Sequence, residues 1–325
     1  MGKTDLAALC LAAGLLCLSG CGAAPQPDAR HSVALVAKST HTEFWLSVFA
    51  GAEAAAAEYN LLLTTTGPET EEDYETQNRL IAEAVRAGAE AIVFSAIDQE
   101  ENAAAIDAAA QAGLQIVAID SSVDSDQVSN YIGTNNYAAG QMAADAVLDR
   151  VSGPLYVGVV NYDVSTANGQ ERERGASDAF AASGRAEITA VVNTLTEAGR
   201  AQADTAALLT EHPEINVLLA LNEPTSVGTA QAVKVLGRSE DIFFVGFDSN
   251  VVTVDGLQDG CVDALVVQNP YAMGYLGVES AYQLLTGQGG ALDETVDTST
   301  RVVDRNNLFT LDSQKALFSF EEHLN

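Results

Sequence analysis

The chain has 325 residues and a formal net charge of −30, from 45 acidic and 15 basic residues dispersed along its length. Such a surface repels phosphate backbones and excludes nucleic acid as the partner. His31, His41, His212 and His323 are scattered without metal-ligand spacing, so no metal is expected and no cofactor is implied.

At the N-terminus Lys3 precedes an apolar run over residues 6–18 that ends in Leu18-Ser19-Gly20-Cys21. A run of about 13 residues is shorter than the roughly 20 that a bilayer core requires. Residues 1–20 therefore read as an export signal and not as a span. The Leu-Ser-Gly-Cys sequence resembles the bacterial lipobox, which implies a lipid on Cys21 and an attachment to the cell membrane; an ordinary signal cleavage site uses the same small residues. Pro25 and Pro27 lie in residues 21–31, which read as a tether. Cys10 and Cys17 leave with the signal, so Cys261 has no internal disulfide partner and reads as a buried small hydrophobe.

The remaining chain alternates short apolar runs with helical patterns, the form of a parallel sheet covered by helices. A first series has strands over 33–37, 61–65, 91–94 and 115–119, with helices over 43–59, 74–87 and 101–112. A second has strands over 155–160, 188–194, 217–221 and 243–247, with helices over 170–182, 200–212 and 224–236. The last of these helices begins with Pro224, which suits a first turn. A strand over 264–267 and a helix over 270–286 follow both series and imply that the chain returns to the first. The fold class expected is α/β, with two doubly wound parallel-sheet lobes joined by strands near 134–136, 268–269 and 297–300. Residues 32–134 with 269–299 form an N-terminal lobe, and 135–268 with 300–325 a C-terminal lobe.

In such sheets ligands sit beyond the carboxyl ends of the strands. The first lobe presents Lys38 to Trp45, Ser95 to Asp98, Asp120-Ser121 and Thr134 to Asn136 there. The second presents Asn161 onward with Arg172, then Asn222-Glu223-Pro224, Asp248 to Asn250 and Gln268-Asn269-Pro270. Amides, carboxylates, a guanidinium and two adjacent aromatics suit a small polyol, whose hydroxyls take paired polar contacts and whose apolar ring face stacks on aromatics. Several of these residues have a plainer reading. Asp120 and Asp248 can cap a turn, Arg172 can pair on a charged helix surface, and Phe44 and Trp45 can belong to the core.

Phe44-Trp45, Ile119-Asp120-Ser121, Arg172-Glu173-Arg174-Gly175, Asn222-Glu223, Val245-Gly246-Phe247-Asp248 and Gln268-Asn269-Pro270 resemble the ribose- and galactose-type periplasmic binding proteins of bacterial sugar importers, in their lipoprotein form. The resemblance runs over nearly the whole mature chain. It implies a monomeric, non-enzymatic protein that holds a monosaccharide or similar polyol between its lobes and delivers it to the permease of an ABC transporter. A sensor of a sugar or of autoinducer-2 that signals to a membrane kinase is the alternative. By motif, Phe44 and Trp45 correspond to ring-stacking aromatics. Asp120, Arg172, Asn222, Asp248 and Gln268 correspond to hydroxyl-binding residues, and Lys38, Thr42, Ser95, Ser121 and Thr134 face the pocket. Ribose-binding members carry Arg after the first of these aspartates and a small polar residue in the first loop. Ser121 and Lys38 stand there instead, and Lys38 can pair with Asp120 or with the ligand. No Gly-x-Ser-x-Gly elbow, phosphate loop or dinucleotide fingerprint occurs.

Overall fold

The structure of the protein, a computed structural model, describes residues 30–318. The export signal, Cys21, the tether up to residue 29, His323 and the chain end beyond 318 lie outside them. Two six-stranded sheets organise the rest. The first contains β1 (Ser32–Val36), β2 (Leu62–Thr66), β3 (Ala91–Phe94), β4 (Gln115–Ile119), β5 (Asn130–Gly133) and β11 (Thr295–Asp297), in the order β11-β5-β4-β3-β1-β2 with every pair parallel. The second contains β6 (Leu155–Asn161), β7 (Ala186–Asn193), β8 (Val217–Ala220), β9 (Phe243–Phe247), β10 (Ala264–Val267) and β12 (Arg301–Asp304), ordered β12-β10-β9-β8-β6-β7. Only β12 runs antiparallel, against β10. Central strands such as β3 and β8 are buried at every position, because helices cover both faces of each sheet.

The first-lobe helices are α1 (Glu43–Glu58), α2 (Tyr74–Arg86) and α3 (Ala103–Gln111), and the second-lobe helices begin with α4 (Asn136–Leu148), α5 (Ala167–Ser183), α6 (Ala198–Glu211), α7 (Glu223–Val235) and α8 (Val251–Asp259). After β10 the chain returns to the first sheet as α9 (Pro270–Leu285), which packs on α1; α10 (Leu311–Leu317) follows β12. Three helices and three strands escape the sequence reading: α4, α8, α10, β5, β11 and β12. Alanine dominates the buried stripe of α4, and Gly140 interrupts it, so its apolar period is faint. The strands have three or four residues each and form only because a neighbour supplies their hydrogen bonds.

Glycines bring two helix pairs into backbone contact. A Cβ on Gly51 of α1 would lie 2.0 Å from the Tyr271 carbonyl oxygen, and one on Gly274 of α9 would lie 1.9 Å from that of Val48. In the second lobe a Cβ on Gly140 of α4 would meet the Arg172 carbonyl oxygen at 2.0 Å, and one on Gly175 of α5 that of Tyr137 at 2.0 Å. The chain passes between the sheets three times, after β5, after β10 and after β11, and the crossings are bonded together. Thr298 donates to the Gly133 carbonyl through its N–H at 2.7 Å and its hydroxyl at 3.0 Å, and the Asn135 N–H donates to Asp297 at 3.1 Å.

Candidate functional site

Each sheet reverses its winding where β3 and β8 lie on the opposite side of β1 and β6 from β2 and β7. That switch point opens a crevice beyond the strand carboxyl ends. The two crevices share one cavity of about 310 Å³, lined by Lys38, Thr42, Phe44, Trp45, Glu71, Asp120, Tyr162, Asn168, Arg172, Asn222, Glu223, Pro224, Asp248 and Gln268.

On the first-lobe side, Asp120 ends β4 with φ of 57°, a left-handed conformation uncommon outside glycine. Its N–H donates to the Ile132 carbonyl at 3.0 Å and so continues the β4–β5 ladder, while the turn aims the carboxylate into the cavity. Ser95 donates to Asp120 Oδ2 at 2.8 Å, and Lys38 Nζ stands 3.4 Å from the same oxygen. Lys38 is 1% exposed. Such a buried ammonium needs its counter-charge. Gln77 of α2 holds this floor in place: its amide donates to the Ala37 and Ser95 carbonyls at 2.9 Å each. At the start of α1, Thr42 is the N-cap and accepts the Trp45 N–H at 3.3 Å. Trp45 is 1% exposed and packs against Val48 and the core, and it also lines the cavity. Phe44 meets it edge-on, with centroids 5.2 Å apart.

On the second-lobe side, Asp248 ends β9 with φ of 65°, and its N–H donates to the Val266 carbonyl at 3.0 Å. Burial raises its carboxyl to about 6, against the opposing pull of Arg172 and the Gln268 amide. Arg172 lines the cavity. Its Nε donates to Asn136 at 2.9 Å, Nη1 to the Leu221 carbonyl at 2.8 Å and Nη2 to Gln268 Oε1 at 2.7 Å. The guanidinium also lies over the Phe247 ring, 4.7 Å from its centroid. The surface ion pair on α5 belongs to Arg174 and Glu171, so the surface reading of Arg172 is corrected by a residue only 1% exposed. Gln268 passes the chain on by donating to Asp248 Oδ1 at 2.7 Å. Asn222 caps α7 by accepting the Thr225 N–H at 3.1 Å, and it lines the cavity.

Two contacts join the lobes across the cavity wall. Asn168, in the first turn of α5, donates to Asp120 Oδ1 at 3.2 Å. Glu223 is 6% exposed and accepts the Phe44 N–H at 2.9 Å and the Glu43 N–H at 3.3 Å, with Asn250 donating at 2.9 Å. A carboxylate from one lobe thus occupies the donor end of a helix in the other. Burial nonetheless lifts it to about 7.

Of the residues singled out in the sequence, Lys38, Thr42, Phe44, Trp45, Asp120, Arg172, Asn222, Asp248 and Gln268 line the cavity. Ser95, Ser121 and Thr134 stand behind it. Ser95 supports Asp120, Thr134 donates to Gln268 at 2.8 Å, and the Ser121 hydroxyl is buried without a hydrogen-bond partner. Asp120 and Asp248 cap no helix; Thr42 and Asn222 do. Sequence reasoning omits Glu71, Tyr162 and Asn168, and places Glu223 at a strand end without giving it a role. The loop after β2 is a strand end like the others and held the signal for Glu71. Asn168 and Tyr162 carried none, since their contact depends on how α5 enters. Among the described residues no cluster of His, Cys, Asp and Glu is arranged to hold a metal, and no helix is long and apolar enough to cross a membrane.

Comparison with known proteins agrees with this geometry. A D-ribose/D-allose-binding protein of Pseudomonas aeruginosa is 28% identical over 264 residues, covering 79% of this chain and 82% of the relative. A carbohydrate transporter solute-binding protein from Agrobacterium radiobacter, solved with D-arabinose, superposes with a TM-score of 0.86 at 25% identity, covering 90% of this chain and all of the other. An ABC transporter solute-binding protein from Agrobacterium vitis, solved with D-fucose, gives 0.83 at 26% identity over 88% of this chain and 99% of its own. The family model for the periplasmic binding protein domain matches residues 33–289. With two parallel-sheet lobes and a polar cavity between their switch points, the chain belongs to the periplasmic binding protein family.

Proposed function

We propose that the protein captures a monosaccharide outside the cell membrane and delivers it to an ABC importer, binding as a monomer and making or breaking no bond. The observation that carries the reading is the shared cavity. Acceptors at Asp120 and Asp248 and donors at Arg172 and Asn222 surround it, beside the aromatic wall of Phe44 and Trp45. Hydroxyls that both donate and accept match such a mixed set. Relatives that bind D-ribose, D-allose, D-arabinose and D-fucose support the class. Lobes taken as residues 32–134 with 269–299, and 135–268 with 300–325, would close about the three crossings, each contributing part of the hydrogen-bonding set. A dissociation constant of about 1 μM corresponds to roughly 8 kcal/mol.

A thermal-shift screen against those four sugars and autoinducer-2, followed by calorimetry, tests this. At least one sugar is expected to raise Tm and bind at micromolar concentration or tighter; a screen in which none does defeats the sugar reading. Signalling to a membrane kinase would give the same binding data, and loss of sugar uptake on gene deletion separates transport from it. The lipobox supports an anchor through Cys21. Cys21→Ala is expected to leave the membrane fraction, and a variant that stays anchored removes the lipid from the account.

A further inference from the structure

The loop between β2 and α2 places two adjacent glutamates on different tasks. Glu71 reaches the cavity and accepts the Trp45 indole N–H at 2.7 Å. Its second oxygen takes no hydrogen bond from the protein among the described residues. Glu72 turns the other way and accepts both the N–H of Thr196, at 2.7 Å, and its hydroxyl, from the segment that follows β7 in the opposite lobe.

The charges around the cavity single out Glu71. Lys38 and Arg172 face Glu71, Asp120, Glu223 and Asp248. Asp120 has Lys38, Ser95 and Asn168; Glu223 has three donors; Asp248 has Gln268 and the field of Arg172. Glu71 has the indole and the more distant field of Lys38, and burial raises its carboxyl. A carboxylate short of donors accepts from whatever fills the cavity.

We propose that Glu71 is a specificity-determining residue of the binding site, taking a donor from a ring substituent of the ligand while orienting Trp45, and that Glu72 couples this contact to closure by tethering the same loop to Thr196 of the other lobe. The assignment rests on the sugar reading. The shared chemistry is a donor on the ring, hydroxyl or ammonium. Acidic sugars are disfavoured, because a further carboxylate would enter a cavity whose four carboxyl groups, three of them raised by burial, already outnumber its two cations.

The experiment uses the full-length protein with D-ribose, D-allose, D-arabinose, D-fucose, D-glucosamine and D-glucuronate as probes. Against the best neutral or amino sugar, Glu71→Ala should lose tenfold or more in affinity and Glu72→Ala at least threefold. Glu71→Gln retains an acceptor: binding within threefold of wild type identifies a hydroxyl donor, and a loss equal to that of Glu71→Ala identifies an ammonium. Trp45 is the only tryptophan, so its emission in the sugar-free protein should change with pH as Glu71 titrates, and Glu71→Gln should flatten that change. Wild-type binding with Glu71→Ala within twofold overturns the assignment and leaves the sugar reading intact, as does tightest binding of D-glucuronate. A pH response of Trp45 unaffected by Glu71→Gln overturns the pairing. If no probe binds the wild type, the sugar reading falls and this assignment with it.

Discussion

The two lobes solve the same placement problem with the same parts. Each ends its fourth strand, β4 or β9, with an aspartate in a left-handed turn whose N–H still pairs with the next strand. Each also brings two helices together at glycines, α1 with α9 and α4 with α5. Their charge environments differ. Asp120 has a lysine 3.4 Å away, whereas Asp248 is bonded to an amide and its carboxyl is raised by burial. Geometry is thus duplicated and electrostatics are not. The first lobe pairs its strand-end aspartate with a lysine, and the second bonds its own to an amide.

Helix propensity alone would favour Gly→Ala by about 1 kcal/mol at a mid-helix site. Here each Cβ would sit about 2 Å from a carbonyl oxygen, so the backbones must separate. Gly51→Ala and Gly140→Ala should each lower stability by about 3 kcal/mol, the upper end for overpacking. Urea unfolding measures this, and a loss confined to one lobe's glycine would break the parallel. Gly140→Ala pushes on the Arg172 carbonyl and should also weaken sugar binding.

The aspartates give the next largest contrast. Asp120→Asn leaves the buried Lys38 ammonium without its nearest counter-charge and should cost about 3 kcal/mol of stability. Asp248→Asn removes a charge that burial already opposes, and should not lower stability at pH 7.5. Both should lower affinity by about 1–3 kcal/mol, since each leaves a bound hydroxyl poorly paired. Equal stability losses would show that Lys38 does not need Asp120.

The smallest effect is in pH. Glu223 and Asp248 are raised to about 7 and about 6 in the folded protein, above their unfolded values of about 4. The folded state therefore holds more protons at these groups. Their contribution favours folding at low pH and declines as pH rises from about 4 through 7. Glu223→Gln and Asp248→Asn cannot lose that proton, so the Tm of each relative to wild type should climb over that interval. Asp73, Asp259 and Asp304 are lowered and act in the opposite sense, which is why the difference between variant and wild type is the measure. A flat difference would remove the electrostatic contrast between the lobes.

Much of this organisation is legible in the residues. Continuous apolar runs such as Ala91–Phe94 and Val217–Ala220 mark buried parallel strands, and the winding rule then directs attention to Asp120, Asn222 and Asp248 at strand ends. Residues whose roles come from local chain direction are readable because backbone sterics and hydrogen bonding act over a few positions. Arg172 is different. Along α5 it sits in a charged surface pattern, yet α4 packs on α5 at Gly140 and the guanidinium is bonded to Asn136, Leu221 and Gln268, partners 36 to 96 positions away. Glu71, Asn168 and Glu223 acquire their partners from segments between 26 and 180 positions away. The sequence by itself determined two wound sheets and the strand ends that face their crevices, since hydrophobic period and turn chemistry are local. Tertiary structure alone decided which charges were paired and which carboxylate was left short of donors, because Coulomb and hydrogen-bond energies depend on distances that only the closed packing of both lobes sets.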